Sequence, residues 1–510
     1  MSAVRRLLTT RWSAPGPISA FEGPFGADKR VAIAEDEVAA RLAGIRRVLV
    51  AAGIGEGDRI GVLSNHRVET YLAVLGAVSA GATFVPLNPK FPAERLRTIV
   101  DLARPTVILG DPSTFAVHGE VAAAIPFRDV SSIDADPDAV GEWGEAIDAS
   151  ATGTDAIAYI MFTSGSTGTP KGVPISYGNL LSYVDGVTDL LAIPEGSRFS
   201  QFFDLSFDLS MHDIFVSTRM RGTLVAPSQV DLMMPGAYVA RERIDAWFSV
   251  PLLGAQLGGG ALKSGFAGFR SMLFCGEALP METVVACRPW LADGGRMWNL
   301  YGPTEATIAF TAADVTDSAR VEGNASIGRA FGGNVTALLG ADGVVVEDPP
   351  LGAEGELLLG GPQVFAGYST DAPSPFVVGA SGDFYKSGDL VRIDPDGVYF
   401  RGRVDSQVKF RGYRIELGEI ETVARRTFGL KTLAVVVSGE GATARMVMFY
   451  LASELGPRTD GGDTTIDLRG LAETLPAYMI PAEAVGLDHM PTNQNGKIDR
   501  RALRAVAESD

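Results

Sequence analysis

Residues 163–171 of this 510-residue chain read Thr-Ser-Gly-Ser-Thr-Gly-Thr-Pro-Lys. A run so rich in hydroxyls and glycines, closed by a lysine, has the chemistry of a phosphate cradle. Glycines let the backbone approach an anion, hydroxyl and N–H groups donate to its oxygens, and the lysine adds a fixed positive charge. Thr163, Ser164, Gly165, Ser166, Thr167 and Lys171 are therefore candidate nucleotide ligands. The alternative is a solvated turn, but the apolar stretch Ala156-Ile-Ala-Tyr-Ile-Met-Phe162 reads as a buried strand entering the loop. An ordinary Walker loop needs glycine before the lysine and Ser or Thr after it, where this chain has Pro170 and Gly172. A simple ATPase or GTPase is disfavoured.

A second cluster, Asn299-Leu-Tyr-Gly-Pro-Thr-Glu305, packs an amide, an aromatic ring, a tight turn, a hydroxyl and a carboxylate into one short segment. Asn299 could pair with an adenine edge, Tyr301 could stack on the base beside the Gly302 turn, Thr304 could donate to phosphate, and Glu305 could hold Mg2+ through hard oxygen ligands. In Tyr385-Lys-Ser-Gly-Asp389, an exposed Asp389 after glycine could accept both ribose hydroxyls, with an Asx turn as the structural alternative.

Taken in this order, these blocks resemble the adenylate-forming superfamily of acyl-CoA synthetases, firefly luciferase and the amino-acid adenylation domains of nonribosomal peptide synthesis. The run Gly402-Arg403-Val-Asp405-Ser-Gln-Val-Lys-Phe-Arg-Gly-Tyr-Arg-Ile-Glu and the terminal Pro491-Thr-Asn-Gln-Asn-Gly-Lys497-Ile-Asp-Arg extend the likeness over essentially the whole chain. The resemblance implies ATP and Mg2+ as cofactors and a large N-terminal core over residues 1–402. It also implies a small mobile C-terminal domain over 403–510 that rotates between two half-reactions. By the same resemblance Arg403 reaches the nucleotide, Asp405 is the hinge, and Lys497 is the catalytic lysine that bridges the substrate carboxylate and the α-phosphate.

Phe207-Asp208-Leu-Ser-Met-His-Asp-Ile-Phe215 distinguishes branches of that superfamily, because amino-acid adenylating enzymes place an Asp there to pair with the substrate's α-ammonium. A buried carboxylate wants a cation, and an amine provides one. Phe203-Asp204-Leu-Ser repeats the same four letters, and Asp208 is preferred because Asp213-Ile-Phe follows it at the family spacing. Motif register adds Leu209, His212, Leu252, Leu273 and Cys275 to the substrate pocket, with Leu300, Ile308 and Ala309 from the Asn299 segment. Bulky aliphatic side chains imply a narrow pocket and a small amino acid. Leu273-Phe-Cys-Gly-Glu-Ala-Leu-Pro280 resembles the matching block of D-alanine:carrier-protein ligases, which makes D-alanine the leading substrate. His212 departs from that pattern. It leaves serine, glycine, L-alanine or a β-amino acid open, and ordinary packing is the plain alternative for both His212 and Cys275. The rival reading is an acyl-CoA ligase acting on a small carboxylic acid. No carrier segment follows the last block, so the expected acceptor is the phosphopantetheine thiol of a separate carrier protein acting in trans, met by basic residues such as Arg411 and Arg414.

The elements that must hold these groups are legible as an alternation. Val38, Leu42, Ile45 and Leu49 recur at helical spacing up to Gly53; Arg59-Ile-Gly-Val-Leu63 reads as strand; a helix over 68–80 and a strand over 83–87 follow; Thr106–Leu109 is another short strand. The pattern predicts a wound α/β fold with a small α+β second domain, in which Thr432–Val437 and Met446–Tyr450 are strands. Gly119–Asp155 reads as a surface excursion and Gly456–Thr465 as a loop.

Composition narrows the class further. A formal charge of −17 without a basic tract argues against nucleic acid. Two cysteines offer neither a disulfide framework nor metal-ligand pairs, which fits a cytoplasmic protein. The apolar stretch after Arg5 and Arg6 is too short for a secretory signal. Thr70–Pro89 carries no charge over 20 residues, but Ser79-Ala-Gly81 breaks it into helix and strand, so no membrane span is expected.

Overall fold

The computed structural model describes residues 2–12, 19–25, 29–165, 169–191, 193–257, 266–370, 373–439, 441–455, 466–493 and 497–509. It divides into two compact units. One comprises Met1–Pro89, Val100–Phe162 and Gly172–Val404; the other comprises Lys90–Ile99, Thr163–Lys171 and Asp405–Asp510. This is the expected mixed α/β class, a large sheet-rich N-terminal part with a smaller C-terminal one.

Three sheets build the larger unit. The first places Arg59–Leu63, Thr83–Pro86 and Val107–Gly110 side by side in parallel, with Ile157–Thr163 next to Thr83–Pro86. Its central strands Thr83–Pro86 and Val107–Gly110 are buried along their whole length, as strands covered on both faces must be. The covering helix Val68–Ser79 is buried on every side, which its almost uncharged sequence requires. Gly76 allows that helix to approach the helix Glu35–Ala51, because a Cβ there would meet Ile45 at 2.6 Å.

The second sheet has nine strands. It is parallel from Thr223–Val225 through Arg198–Ser200, Ala246–Ser249 and Phe269–Phe274 to Leu291–Tyr301, and antiparallel at Thr311–Asp314 and Arg329–Ala330. The third, wholly antiparallel, is built on Glu354–Gly360 and Asp383–Asp394, with Gly397–Arg403 paired to the latter.

In the smaller unit the strands Leu433–Ser438 and Arg445–Leu451 alternate cleanly. Leu433, Val435, Met446, Met448 and Tyr450 pack with the helix Leu417–Phe428, whereas Ala434, Val436, Val447 and Phe449 pack with the helix Arg500–Ser509.

The helix, strands and breaks expected over 38–109 lie where the spacing put them. No helix among the described residues is long and apolar enough to cross a membrane. The segment Gly119–Asp155 corrects the expectation of a surface excursion. Phe127–Asp129 joins the first sheet, and the helix Val140–Asp148 buries Trp143 and Ile147 in the main core. Those two residues are one helical turn apart, a signal diluted by the Gly, Glu and Ala around them. The expected loop Gly456–Thr465 lies outside the described residues.

Candidate active site

The Gly-rich loop leaves a strand that is buried for most of its length. Ser166 and Thr167 lie outside the described residues. Gly165 fits its place only because it lacks a side chain: a Cβ would come within 2.0 Å of the Thr169 carbonyl oxygen. The Ser164 hydroxyl donates to the Arg414 carbonyl at 3.1 Å and accepts the Glu416 N–H at 3.3 Å. The Gly165 N–H bonds to the Glu419 carboxylate, which also pairs with Arg95 at 2.6 Å. Thus the donors that the sequence assigns to phosphate point at carboxylate and carbonyl oxygens of the same unit. Lys171 is half-buried. Lys497 is exposed; the Asn493 N–H donates to the Lys497 carbonyl at 2.7 Å, and the Asn493 side chain accepts the Lys497 N–H at 3.1 Å.

In the larger unit, Asn299, Tyr301, Gly302, Thr304 and Glu305 sit at the end of the strand Leu291–Tyr301 and in the turn that follows. Asn299 donates through Nδ2 to the Ser326 carbonyl at 2.8 Å, and its buried Oδ1 has no partner among the described residues. That is an acceptor suited to the amino group of a purine. Tyr301 donates its hydroxyl to Asp389 Oδ2 at 2.6 Å, and Arg403 pairs with Asp389 Oδ1. Asp389 is 2% exposed, which corrects the expectation of an exposed carboxylate. Its sequence neighbours are small and polar, whereas the groups that cover it come from distant strands.

Glu305 is buried, and Oε1 accepts the Tyr368 hydroxyl at 2.8 Å. A single carboxylate of this kind fits Mg2+, which binds through one or two carboxylates with water and substrate phosphates completing its shell. The metal would offset negative charge on the phosphates.

The turn after Glu305 is strained. Thr307 and Ile308 have φ of 57° and 69°, in the left-handed region that β-branched residues avoid. Gln363, fully buried, holds them there. It accepts the Thr307 hydroxyl through its backbone carbonyl at 2.6 Å and donates through Nε2 to the Ala309 carbonyl at 2.8 Å. The reward for the strain is the direction of the Ile308 N–H, which bonds to Asp208. Nothing around Gln363 in the sequence singles it out.

Asp204 and Asp208 are now distinguishable. Asp204 is saturated: Asn65 donates to it at 2.7 Å, His66 lies at 2.9 Å and Asn88 at 3.2 Å. Asp208 is 7% exposed, and its Oδ2 has no hydrogen-bond partner among the described residues. Burial pushes its carboxyl up to about 7. The Thr304 hydroxyl and the Ile308 N–H pull against that rise, and the charge of Glu305 adds to it. Thr304 therefore serves Asp208 in this structure rather than an empty phosphate position.

Leu209, Leu273, Cys275, Leu300, Ile308 and Ala309 are buried with Asp208 in the main core, and Leu252 is half-buried. His212 lies 2.6 Å through Nδ1 from the Tyr183 hydroxyl, and its ring centre is 4.4 Å from that of Phe248. Burial pushes His212 down to about 3, so the ring is neutral. A group able to pair with a polar substrate side chain is thus already engaged by a tyrosine that sequence reasoning missed. Asp405 begins the smaller unit directly after Val404.

Residues 30–369 match the family described as AMP-binding enzyme. The chain is 35% identical over 491 residues to an L-proline–[L-prolyl-carrier protein] ligase of Streptomyces coelicolor, an alignment that covers 92% of this chain and 91% of the relative. It is 34% identical to the ligase of the same name from Pseudomonas fluorescens, over 94% and 95% of the two chains. Among solved structures, the Vibrio cholerae adenylation domain AlmE in complex with glycyl-adenosine-5'-phosphate superposes with a TM-score of 0.84 at 25% identity, covering 100% of this chain and 97% of that one.

Proposed function

Because the chain belongs to the AMP-binding enzyme family and its curated relatives include amino acid–carrier protein ligases, we propose that it activates a compact amino acid as the aminoacyl-adenylate and passes the aminoacyl group to a carrier-protein thiol. In the first half-reaction a carboxylate oxygen attacks the α-phosphorus of ATP and pyrophosphate leaves. In the second the phosphopantetheine thiol of the carrier attacks the carbonyl carbon and AMP leaves. The observation that carries this reading is the buried, unpartnered Oδ2 of Asp208. A buried carboxyl raised to about 7 is returned to its charged form by an ammonium, which an amine-free acid does not bring.

The roles follow from chemistry and position. Asn299 takes the adenine edge, Asp389 the ribose hydroxyls with Arg403 beside it, and Glu305 the magnesium. Thr163 to Lys171 take the phosphates, and Lys497 stabilises charge at the α-phosphate. Asp405 is assigned as the pivot between a core ending near residue 402 and the C-terminal domain.

D-alanine is the leading substrate on the Leu273–Pro280 block and the narrow aliphatic lining. L-proline is the second reading, favoured by the two curated ligases described above, and it too is compact and apolar. Pyrophosphate exchange tests both. The panel is D- and L-alanine, glycine, L-proline, serine, β-alanine and amine-free acids, assayed with wild type and Asp208→Asn. A response to one compact amino acid that collapses in the variant supports the reading. Exchange with an amine-free acid that survives the substitution refutes it and assigns an acyl-CoA ligase.

A further inference from the structure

Residues 362–369 run past Glu305 and hold it at two points. The Phe365 N–H donates to the Glu305 backbone carbonyl at 2.9 Å, and the Tyr368 hydroxyl donates to Glu305 Oε1 at 2.8 Å. The segment is itself tied down at both ends. Asn179 Nδ2 donates to the carbonyls of Pro362 at 2.8 Å and Val364 at 3.1 Å, and the Ser369 N–H donates to the Gly172 carbonyl at 2.9 Å. Gly367, directly before Tyr368, has a φ of 135°, which a residue with a side chain rarely adopts. The Tyr368 ring meets the ring of the buried Phe365 edge to face, with centres 5.0 Å apart. Both the phenol and its target are thus fixed by the same short stretch of chain.

A metal ligand must be aimed as well as charged. Glu305 stands in the three-residue turn Thr304–Ala306, and its carboxylate can rotate unless something holds it. A phenol is a neutral donor, so it orients the carboxylate and leaves the negative charge for a cation, whereas Arg or Lys in the same place would cancel that charge. The contact also commits one oxygen. With Oε1 accepting the phenol, chelation of one ion through both oxygens is opposed, a mode that the larger Ca2+ accepts more readily than Mg2+ does.

We propose that Tyr368 is a positioning residue whose hydroxyl aims the Glu305 carboxylate for Mg2+ and biases it toward single-oxygen ligation, which favours Mg2+ over Ca2+. The inference rests on the reading of Glu305 as the metal carboxylate.

Calorimetric binding of α,β-methylene-ATP to the full chain tests it without catalysis, because that nucleotide cannot be cleaved at the bond adenylation breaks. Affinity is measured with Mg2+, with Ca2+ and with EDTA. Tyr368→Phe keeps the ring on Phe365 and removes only the donor. It is expected to weaken binding with Mg2+ about tenfold and with EDTA less than about twofold, and to weaken binding with Ca2+ less than with Mg2+. In the Glu305→Gln background the same substitution should change the Mg2+ affinity less than about twofold. Equal losses with Mg2+ and EDTA, or with Mg2+ and Ca2+, overturn the inference. Urea unfolding of Tyr368→Phe adds a second readout: lowered stability with an unchanged response to Mg2+ marks a contact that serves folding alone, and it too overturns the inference. A Glu305→Gln chain that keeps the full response to Mg2+ refutes the metal reading itself, whereas a response lost there and kept in Tyr368→Phe refutes only the role of Tyr368.

Discussion

Replacing Asp208 with asparagine separates stability from function in a way that can be worked out in advance. The Asp208 carboxyl is raised from 3.8 to about 7 in the folded chain, chiefly by burial. A raised carboxyl means that between those two values the folded state keeps a proton that the unfolded state has released. Stability therefore falls as pH rises through that window and is level above it. About 3 pH units at about 1.4 kcal/mol each gives a cost of roughly 4 kcal/mol once Asp208 is ionised. Between pH 5.5 and 8.5 the wild type should lose roughly 2 kcal/mol relative to Asp208→Asn, whose amide does not titrate. Urea unfolding of both proteins across that range measures the difference, and other titrating groups cancel in the comparison. Adding the preferred amino acid should restore wild-type stability at pH 8 and leave the variant unmoved. The variant's amino-acid KM should rise by about a hundredfold or more, as expected when one partner of a buried ion pair is removed. Parallel pH profiles for the two proteins would refute the reasoning, because they would mean that Asp208 titrates as an ordinary carboxyl.

Three further outcomes are expected. Gln363→Leu removes the donor to the Ala309 carbonyl and the packing that holds Thr307 and Ile308 in their left-handed conformation; urea unfolding should show a loss of about 3 kcal/mol, with the amino-acid KM raised more than the KM for ATP. Lys497→Ala should lower kcat for adenylation by about a thousandfold while both substrate KM values change little, and transfer from supplied aminoacyl-adenylate to the carrier should persist in a loading assay. Arg411 is exposed at the tip of the hairpin Gln407–Glu416; if it meets an acidic carrier as proposed from the sequence, Arg411→Glu should lower carrier loading several-fold at low salt without altering pyrophosphate exchange, and unchanged loading would remove it from the docking surface.

The sheet elements were legible because their burial is written locally. Residues 60–63 and Thr83–Pro86 are short runs buried on both faces, with Gly57 before the first and Gly81 before the second. The Gly-rich loop and the Asn299–Glu305 turn stand out in the sequence because each is one continuous stretch. The state of the site was not, since it depends on partners far away in the chain. Asp389 is covered by Tyr301, 88 residues away, and His212 is held by Tyr183, 29 residues away. Asp204 and Asp208 open identical tetrapeptide contexts. Only Asn65, His66 and Asn88, each more than a hundred residues upstream, show that the first is a structural anchor and the second is left open.

The departures from good folding practice in the larger unit fall together. Elsewhere in the unit, Arg198 meets Glu22 with two parallel bonds at 2.8 and 2.9 Å, and Arg221 reaches Glu35 at 2.9 Å. Among the described residues Asp208 Oδ2 has no hydrogen-bond partner, and the nearby turn forces two β-branched residues into a conformation that glycine or asparagine would take more cheaply. A chain selected for stability alone would carry an amide at 208 and a glycine at 307. Both costs meet at one hydrogen bond, from the Ile308 N–H to the Asp208 carboxyl. On the proposed reading of Asp208 as the ammonium anchor, the strained turn would fix the carboxylate in place before the ammonium arrives, and the ammonium would supply the compensating charge.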